Sequence, residues 1–441
     1  MKVCIIGAGD AGAIAALQTR RLSREAQIDV FSKRGELGCN PCEIPLVLAG
    51  TVSKWQDLYR GYRVTPFYDK RNIKLHLNRE VTDILRDKKE IVANGKKYDY
   101  DKAILALGTN PVTPSFSGLD GKNEFTPSTD IADARTFDDA IPKNSSAAIV
   151  GGGFIGLEIA DGPKARGYSK VYLLVRRDIM RAYLDKEIAE RLRQVLVERG
   201  VELIVPAEIE GISSRNGKKR VILSDRELET DFIFFGTGAE PNAKLARQAG
   251  LNIGDTGAIA VNQNLQTSDP NIYAVGDCME NWDSITGSKR RHQLATNAIR
   301  TGYIAGRNAI LENRISYGGT VMPFVTRIFS YQVGAVGFTE REAREKGIET
   351  ISITVNTPYL REPRRGKPAW YKLIADPRTQ TLIGAQLISE ETVSGTIDKL
   401  AIAIANRMPL VKLVQIDSCY SPYVQEDQIA VPIQRLIDEL S

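Results

Sequence analysis

The chain has 441 residues, of which 42% are hydrophobic and 26% charged, and carries a formal net charge of +5. That length predicts two to three domains of ordinary soluble composition. It lacks any run of about 18 apolar residues, which excludes a membrane-spanning helix, and its cations lie scattered among acids without interleaved aromatics, which argues against nucleic acid as a partner.

The mild positive balance suits anionic small ligands such as phosphates. Five cysteines, an odd number spread over a long chain, do not make a secreted disulfide framework. The N-terminal MKVCIIGAGDAGAIAAL mimics a secretory signal. Its glycines follow a nucleotide-binding spacing and no convincing cleavage site follows, so it reads as the first strand of a cytoplasmic protein.

Residues 2–7, KVCIIG, are a short apolar run ending in glycine, as a buried parallel strand requires. GAGDAG brings Gly7, Gly9 and Gly12, then AIAALQTRRLSR reads as a helix and QIDVFS as the next strand. In this context the first glycine makes the tight turn, the second lets a pyrophosphate approach, and the third lets helix and strand pack closely. The pattern recurs at SSAAIVGGGFIGLEIA, with Gly151, Gly153 and Gly156, followed by the strand KVYLLV. One GxGxxG is weak evidence; two in full context predict two dinucleotide sites.

About twenty residues past each turn an acid usually grips a ribose hydroxyl. Here the first strand ends VFSKR, with Ser32 and Lys33 at that position, and the second ends LLVRRD, with Arg176 and Arg177. Those arginines, with Arg181, can bind a 2′-phosphate, which favours NADPH over NADH at the second site. DPNIYAVGDCME ends a strand at Gly276–Asp277. Asp277 is placed to accept a hydrogen bond from a cofactor hydroxyl, and Cys278 reads as a packed small hydrophobe.

TNPVTPSFSGLDGKNEFTPSTD reads as one interdomain crossing and GTGAEPN, residues 236–242, as another. From about residue 322, β-type runs (AVGFT, TISITV, WYKLIAD, TLIGAQLI) precede helical ones (TVSGTIDKLAIAIAN, QIAVPIQRLIDEL), which predicts a separate α+β domain. The expected fold is therefore α/β, with two Rossmann-like dinucleotide-binding domains and a C-terminal α+β domain.

GCNPCEIP, residues 38–45, sets Cys39 and Cys42 three residues apart. A zinc site would need two further ligands, and with two histidines, His76 and His292, and no second CxxC, no metal site is predicted. A helix starting at Cys42, with Pro45 tolerated in its first turn, would lower the thiol pKa through its dipole.

These stretches, with ALGTNP at 106–111, GGGFIGLE at 151–158, GTGAEPN and NIYAVGDC, resemble the two-dinucleotide-binding flavoprotein disulfide reductases along essentially the whole chain. The resemblance implies FAD at the first site, NAD(P)H at the second and a C-terminal dimerisation domain. The domains would run 1–115 with 245–321 for FAD, 116–244 for NAD(P)H, and 322–441 for dimerisation. The glutathione- and lipoamide-type branch carries CxxxxC and a C-terminal His–Glu pair, and this chain has neither. Thioredoxin reductases place CxxC in the NADPH domain. The remaining match is the single-cysteine group of coenzyme A disulfide reductases, CoA-persulfide reductases, NADH oxidases and NADH peroxidases.

That group implies Cys42 as the redox thiol. It also implies that DSCYSPYV carries a tyrosine, Tyr420 or else Tyr423, into the partner subunit's site. Phe154 resembles an aromatic that covers the flavin until nicotinamide arrives, with core packing as the other reading, and Glu158 a residue that hydrogen-bonds near the nicotinamide. Arg20, Arg21, Lys70 and Arg71 occupy regions that meet the nucleotide end of CoA in the group.

The chain departs from the group twice. Cys39 is an extra thiol, either resolving a mixed disulfide or incidental. Asp10 stands where peroxidase-type members place a histidine, which disfavours peroxide cleavage. The expected activity is NAD(P)H-driven reduction of a small sulfur substrate: CoA persulfide, CoA disulfide or polysulfide. Oxygen reduction and reduction of an electron-carrier protein are the alternatives.

Overall fold

The computed structural model describes the chain except for residues 38–40, 59–60, 127–134, 137, 139–143, 166, 359–365, 419–428 and 441. Val3, Ile5, Ile104 and Tyr273 are fully buried, as strands covered on both faces must be. They belong to a five-stranded sheet ordered Ile272–Ala274, Lys102–Leu105, Lys2–Ile6, Gln27–Phe31, Lys74–His76, parallel throughout. A second parallel sheet of five is ordered Val201–Ile204, Lys170–Leu174, Ser146–Val150, Phe232–Phe235, Glu124–Phe125.

Each sheet is accompanied by a three-stranded antiparallel meander, over Val81–Leu85, Glu90–Ala93 and Lys96–Asp99 in the first unit and Ile209–Arg215, Lys218–Leu223 and Glu227–Thr230 in the second. The strand Ile272–Ala274 joins the first sheet only after the chain has built the second. Both crossings lie side by side, because Thr109–Pro111 pairs antiparallel with Ala239–Pro241.

The C-terminal unit is an antiparallel sheet of five, ordered Phe324–Ile328, Tyr331–Gly337, Thr381–Ser389, Pro368–Asp376, Ile351–Pro358, with the helices Ser394–Ala405 and Ala430–Leu440. Its first strand, in a stretch not read as β from the sequence, faces the second unit. Lys372 is only 1% exposed and its Nζ lies 3.0 Å from Glu187 and 3.1 Å from Glu340. Gln386 donates to the Asp185 carboxylate at 2.6 Å and accepts from the Asp185 amide at 2.7 Å. These satisfied polar groups hold the second unit against the C-terminal sheet.

Candidate active site

The two glycine turns share one geometry. Gly7 has φ +111°, and a Cβ there would meet the Ala106 carbonyl oxygen at 2.1 Å; a Cβ on Gly12 would meet the Gly7 oxygen at 1.9 Å. In the second turn Gly151 has φ +123° and a Cβ would meet the Gly236 oxygen at 2.2 Å, and one on Gly156 the Gly151 oxygen at 2.0 Å. The outer glycines are thus imposed by the chain's own backbone. The middle ones are not: a Cβ on Gly9 or Gly153 would meet nothing within 4 Å. They leave open space at the N-termini of the helices Asp10–Leu22 and Phe154–Ala165, where an anionic group can approach.

The first cradle contains an orphaned acceptor. Asp277 Oδ1 is buried without a hydrogen-bond partner. Burial, and then the charge of Asp10, push its carboxyl up to about 6. Gly276 beside it packs on Ala11 and Ala298, at 3.1 and 3.5 Å from where its Cβ would stand, so two helix starts converge on this carboxylate. A dinucleotide with a free hydroxyl fits these groups, and it would complete the missing hydrogen bond.

At the ribose positions, Ser32 is buried, and its Oγ accepts from the Arg34 amide at 3.2 Å, while Lys33 is exposed. Arg176, Arg177 and Arg181 are all exposed beyond the end of the second unit's strand Lys170–Leu174.

Cys42 is exposed on a short 3-10 turn, Pro41–Glu43, that leads into the helix Ile44–Leu48. This helix packs on the second unit's helix: a Cβ on Gly162 would lie 3.4 Å from the Leu48 carbonyl carbon. The thiol consequently feels residues of both units. The chain pushes its pKa up to about 11, through loss of solvent around it and then the carboxylates of Glu158, Asp10 and Asp277, with Arg63 opposing. The helix expected to start at Cys42 begins instead at Ile44. The helix is five residues long and begins after the cysteine, and three carboxylates outweigh one arginine.

Arg63 was not legible as a site residue. It sits on the turn Gly61–Arg63 and forms a buried ion pair with Asp10, the residue inside the first glycine turn. Tyr62 donates to the same carboxylate oxygen at 3.0 Å. Asp10 therefore does more than vacate a histidine's place: it fixes a cation near the thiol.

Glu158 accepts a hydrogen bond from Thr326 Oγ1, and burial raises its pKa while that bond opposes the rise. The Phe154 ring packs at 4.7 Å on Phe324, nearly perpendicular, and at 4.9 Å on Tyr183. Tyr183 and Phe324 were also missed, since aromatic partners from distant segments leave no local signal. Cys278 is fully buried, and its Sγ donates to the Val275 carbonyl at 3.2 Å, as a packed hydrophobe would.

Two comparisons decide the family. Residues 1–302 match the pyridine nucleotide-disulphide oxidoreductase family, and residues 324–428 match its dimerisation domain. The chain belongs to this family. Its members use FAD and NAD(P)H, which accords with the two cradles. The chain is 35% identical over 416 residues, 92% of its own length and 91% of the relative's, to an NAD(P)H sulfur oxidoreductase (CoA-dependent) of Pyrococcus abyssi. It is 32% identical, over 96% of this chain and 95% of the relative, to an NADH oxidase of Methanocaldococcus jannaschii. Among solved structures it resembles an NAD-dependent persulfide reductase from A. fulgidus, with a TM-score of 0.94 and 28% identity, covering all of this chain and 83% of that one.

Among the cations expected at a CoA nucleotide, this oxidoreductase commits two internally. The Arg20 guanidinium donates to the carbonyls of Ser23, Arg24, Ala26 and Asn72 at 2.6–3.0 Å, which ties down the end of the first helix. Arg71 donates to the Phe67 carbonyl at 2.8 Å and stacks 3.9 Å from the centre of that ring. Arg21 and Lys70 are exposed. Cys39, Tyr420 and Tyr423 lie outside the described residues.

Proposed function

We propose that this chain is an FAD-dependent NAD(P)H reductase of a CoA-linked persulfide or disulfide, or of polysulfide, acting through Cys42. The observation that carries the reading is the setting of that thiol: its turn leads into the helix Ile44–Leu48, which packs on the second unit's helix Phe154–Ala165, while carboxylates of both units, Glu158, Asp10 and Asp277, act on the sulfur. A sulfur placed where both nucleotide cradles meet has a redox use and no evident structural one. The relatives named above, a CoA-dependent sulfur oxidoreductase and a persulfide reductase, support the same substrate class.

In this scheme the glycine turns hold two pyrophosphates, Asp277 accepts a hydroxyl of the first dinucleotide, and Arg176, Arg177 and Arg181 line the ribose end of the second. FAD, when bound, supplies a two-electron relay between nicotinamide and sulfur. The Cys42 thiolate attacks one sulfur of the substrate's S–S bond, leaving a mixed disulfide or persulfide on Cys42 and releasing the other sulfur as a thiol or hydrosulfide. Two electrons from NAD(P)H then break the S–S bond on Cys42, and the departing sulfur takes a proton and leaves as a thiol from the mixed disulfide or as hydrogen sulfide from the persulfide. Glu158 positions the nicotinamide, and Phe154 leaves its aromatic neighbours to admit it. Arg21 and Lys70 are the exposed cations that meet the CoA phosphates. The protein works as a cytoplasmic homodimer, with Tyr420 of each subunit reaching the other's site.

The test is anaerobic NAD(P)H oxidation by the FAD-loaded protein with CoA persulfide, CoA disulfide, polysulfide or no acceptor. Fast turnover with a sulfur acceptor supports the reading and names the substrate. Turnover that appears only when oxygen is admitted makes the protein an oxidase, as the M. jannaschii relative is named.

A further inference from the structure

Three aromatic rings from separate segments close on one another beside the second glycine turn. Phe154 is the first residue of the helix Phe154–Ala165 and follows Gly153 directly. Its ring centre lies 4.9 Å from that of Tyr183 and 4.7 Å from that of Phe324, and those two lie 5.2 Å apart, so each ring packs on the other two. Both partners are fixed from outside the helix. The stretch carrying Tyr183 is tied to the glycine turn itself: the Met180 amide donates to the Gly152 carbonyl at 2.7 Å, and the Tyr183 amide to the Met180 carbonyl at 2.7 Å. Phe324 is 7% exposed and begins the strand Phe324–Ile328, which pairs antiparallel with Tyr331–Gly337. The same segment grips the helix at two further points. Thr326 Oγ1 donates to Glu158, and the Phe329 amide donates to the Asp161 carboxylate at 3.1 Å. Residues 154, 158 and 161 follow the spacing of a single helix face.

We propose that Tyr183 and Phe324 are positioning residues for nicotinamide entry: they form a socket that holds the Phe154 ring closed, and the strength of that socket sets the affinity for NAD(P)H. This rests on the reading above, in which Phe154 gives way to nicotinamide. A ligand that binds only when the ring has left its socket sees an affinity reduced by the fraction of molecules whose ring is open. Ring pairs at these distances and tilts favour the closed position enough to make that reduction several-fold. The Phe154 ring is the yielding part, since it is only partly buried. The socket is the fixed part, because the Thr326 and Phe329 hydrogen bonds keep the strand on the helix whichever way the ring points. One wall of the socket belongs to the C-terminal unit, so that unit takes part in cofactor exchange as well as in holding the second unit in place. The consequence has a sign that ordinary packing damage does not give: weakening the socket tightens nicotinamide binding.

The test is equilibrium binding of a tetrahydro analogue of NADPH or NADH, which fills the nicotinamide site without giving up hydride, to the FAD-loaded protein, followed by flavin absorbance. Phe324→Leu and Tyr183→Leu should each bind the analogue about 2- to 10-fold more tightly than wild type, the range expected for loss of a ring pair. Tyr183→Phe, which keeps the ring, should stay close to wild type. Phe154→Ala should also bind more tightly, and adding Phe324→Leu to it should change the affinity by less than about twofold, because the ring that the socket holds is gone. If Phe324→Leu does not fold, Tyr183→Leu, alone and combined with Phe154→Ala, decides the matter. Unchanged or weaker binding in either single socket variant that folds, or tightening that persists at full size in the Phe154→Ala background, overturns the proposal. Phe154→Ala that binds no more tightly than wild type overturns the gating reading and the proposal with it. The binding readout does not pass through Cys42, so turnover that needs oxygen would overturn the sulfur-reductase reading and leave this result standing.

Discussion

Glu158 Oε1 accepts a hydrogen bond from Thr326 Oγ1 at 2.5 Å, which joins the helix of the second nucleotide unit to the first strand of the C-terminal sheet. Burial raises the Glu158 pKa and the threonine opposes the rise. A carboxyl whose folded-state pKa lies above its unfolded value favours the folded state below the unfolded pKa, and that contribution is lost as pH rises through the folded value. Glu158→Gln should therefore melt higher than wild type at pH 8, with the advantage shrinking toward pH 4 (about the ordinary glutamate range). Thr326→Val should cost about 1–2 kcal/mol at neutral pH, because it strands a buried acceptor. Thermal melts at several pH values check both.

The two glycine classes should separate cleanly. Gly156→Ala places a Cβ 2.0 Å from the Gly151 oxygen and should destabilise the second unit outright. Gly153→Ala meets nothing in the chain. It should fold and retain FAD, yet raise KM for NAD(P)H about tenfold or more, because the methyl stands where the pyrophosphate approaches. Melting curves, FAD absorbance and steady-state kinetics distinguish the two variants.

Asp277 should make FAD retention pH-dependent. Its carboxyl has been pushed up to about 6 and its Oδ1 lacks a partner. A cofactor hydroxyl donating to it favours the ionised form, so binding should release a proton and FAD affinity should rise as pH increases through about 6. Asp277→Asn should flatten that dependence and weaken binding about 10-fold or more at pH 8, as expected for loss of one charge-assisted hydrogen bond. Titration of apoprotein with FAD, followed by fluorescence quenching, gives both quantities.

What the sequence reveals here is what the local backbone demands. Gly7, Gly12, Gly151 and Gly156 are each required by a carbonyl oxygen of a neighbouring segment, so their spacing carries the fold by itself. The crossings were visible through their prolines and glycines, and the strands of the C-terminal sheet mostly through their apolar runs. The strand Phe324–Ile328 was not, although its burial alternates cleanly, because FVTRI is short and its apolar residues are interrupted by a threonine and an arginine.

Side-chain partnerships between distant segments were illegible. Arg63 lies among short turns with no periodicity, and nothing in GYRVTPF marks it as Asp10's counter-ion. The hydrogen bonds of Arg20 to four carbonyls were equally hidden, because they depend on how the chain leaves the first helix. The Cys42 environment failed for a similar reason: a helix start nearby could be read, but the three carboxylates that converge from separate segments could not.

Cys42 is proposed as the sulfur through which electrons reach the substrate. Its most direct test is anaerobic NADPH oxidation driven by CoA persulfide or CoA disulfide, compared between wild type and Cys42→Ser, with both carrying equal FAD. Turnover with the sulfur substrate should fall at least about a thousandfold in Cys42→Ser, the order seen when a covalent nucleophile is removed, while FAD content and reduction of the flavin by NADPH persist. Sulfur-driven turnover undiminished in Cys42→Ser would contradict it.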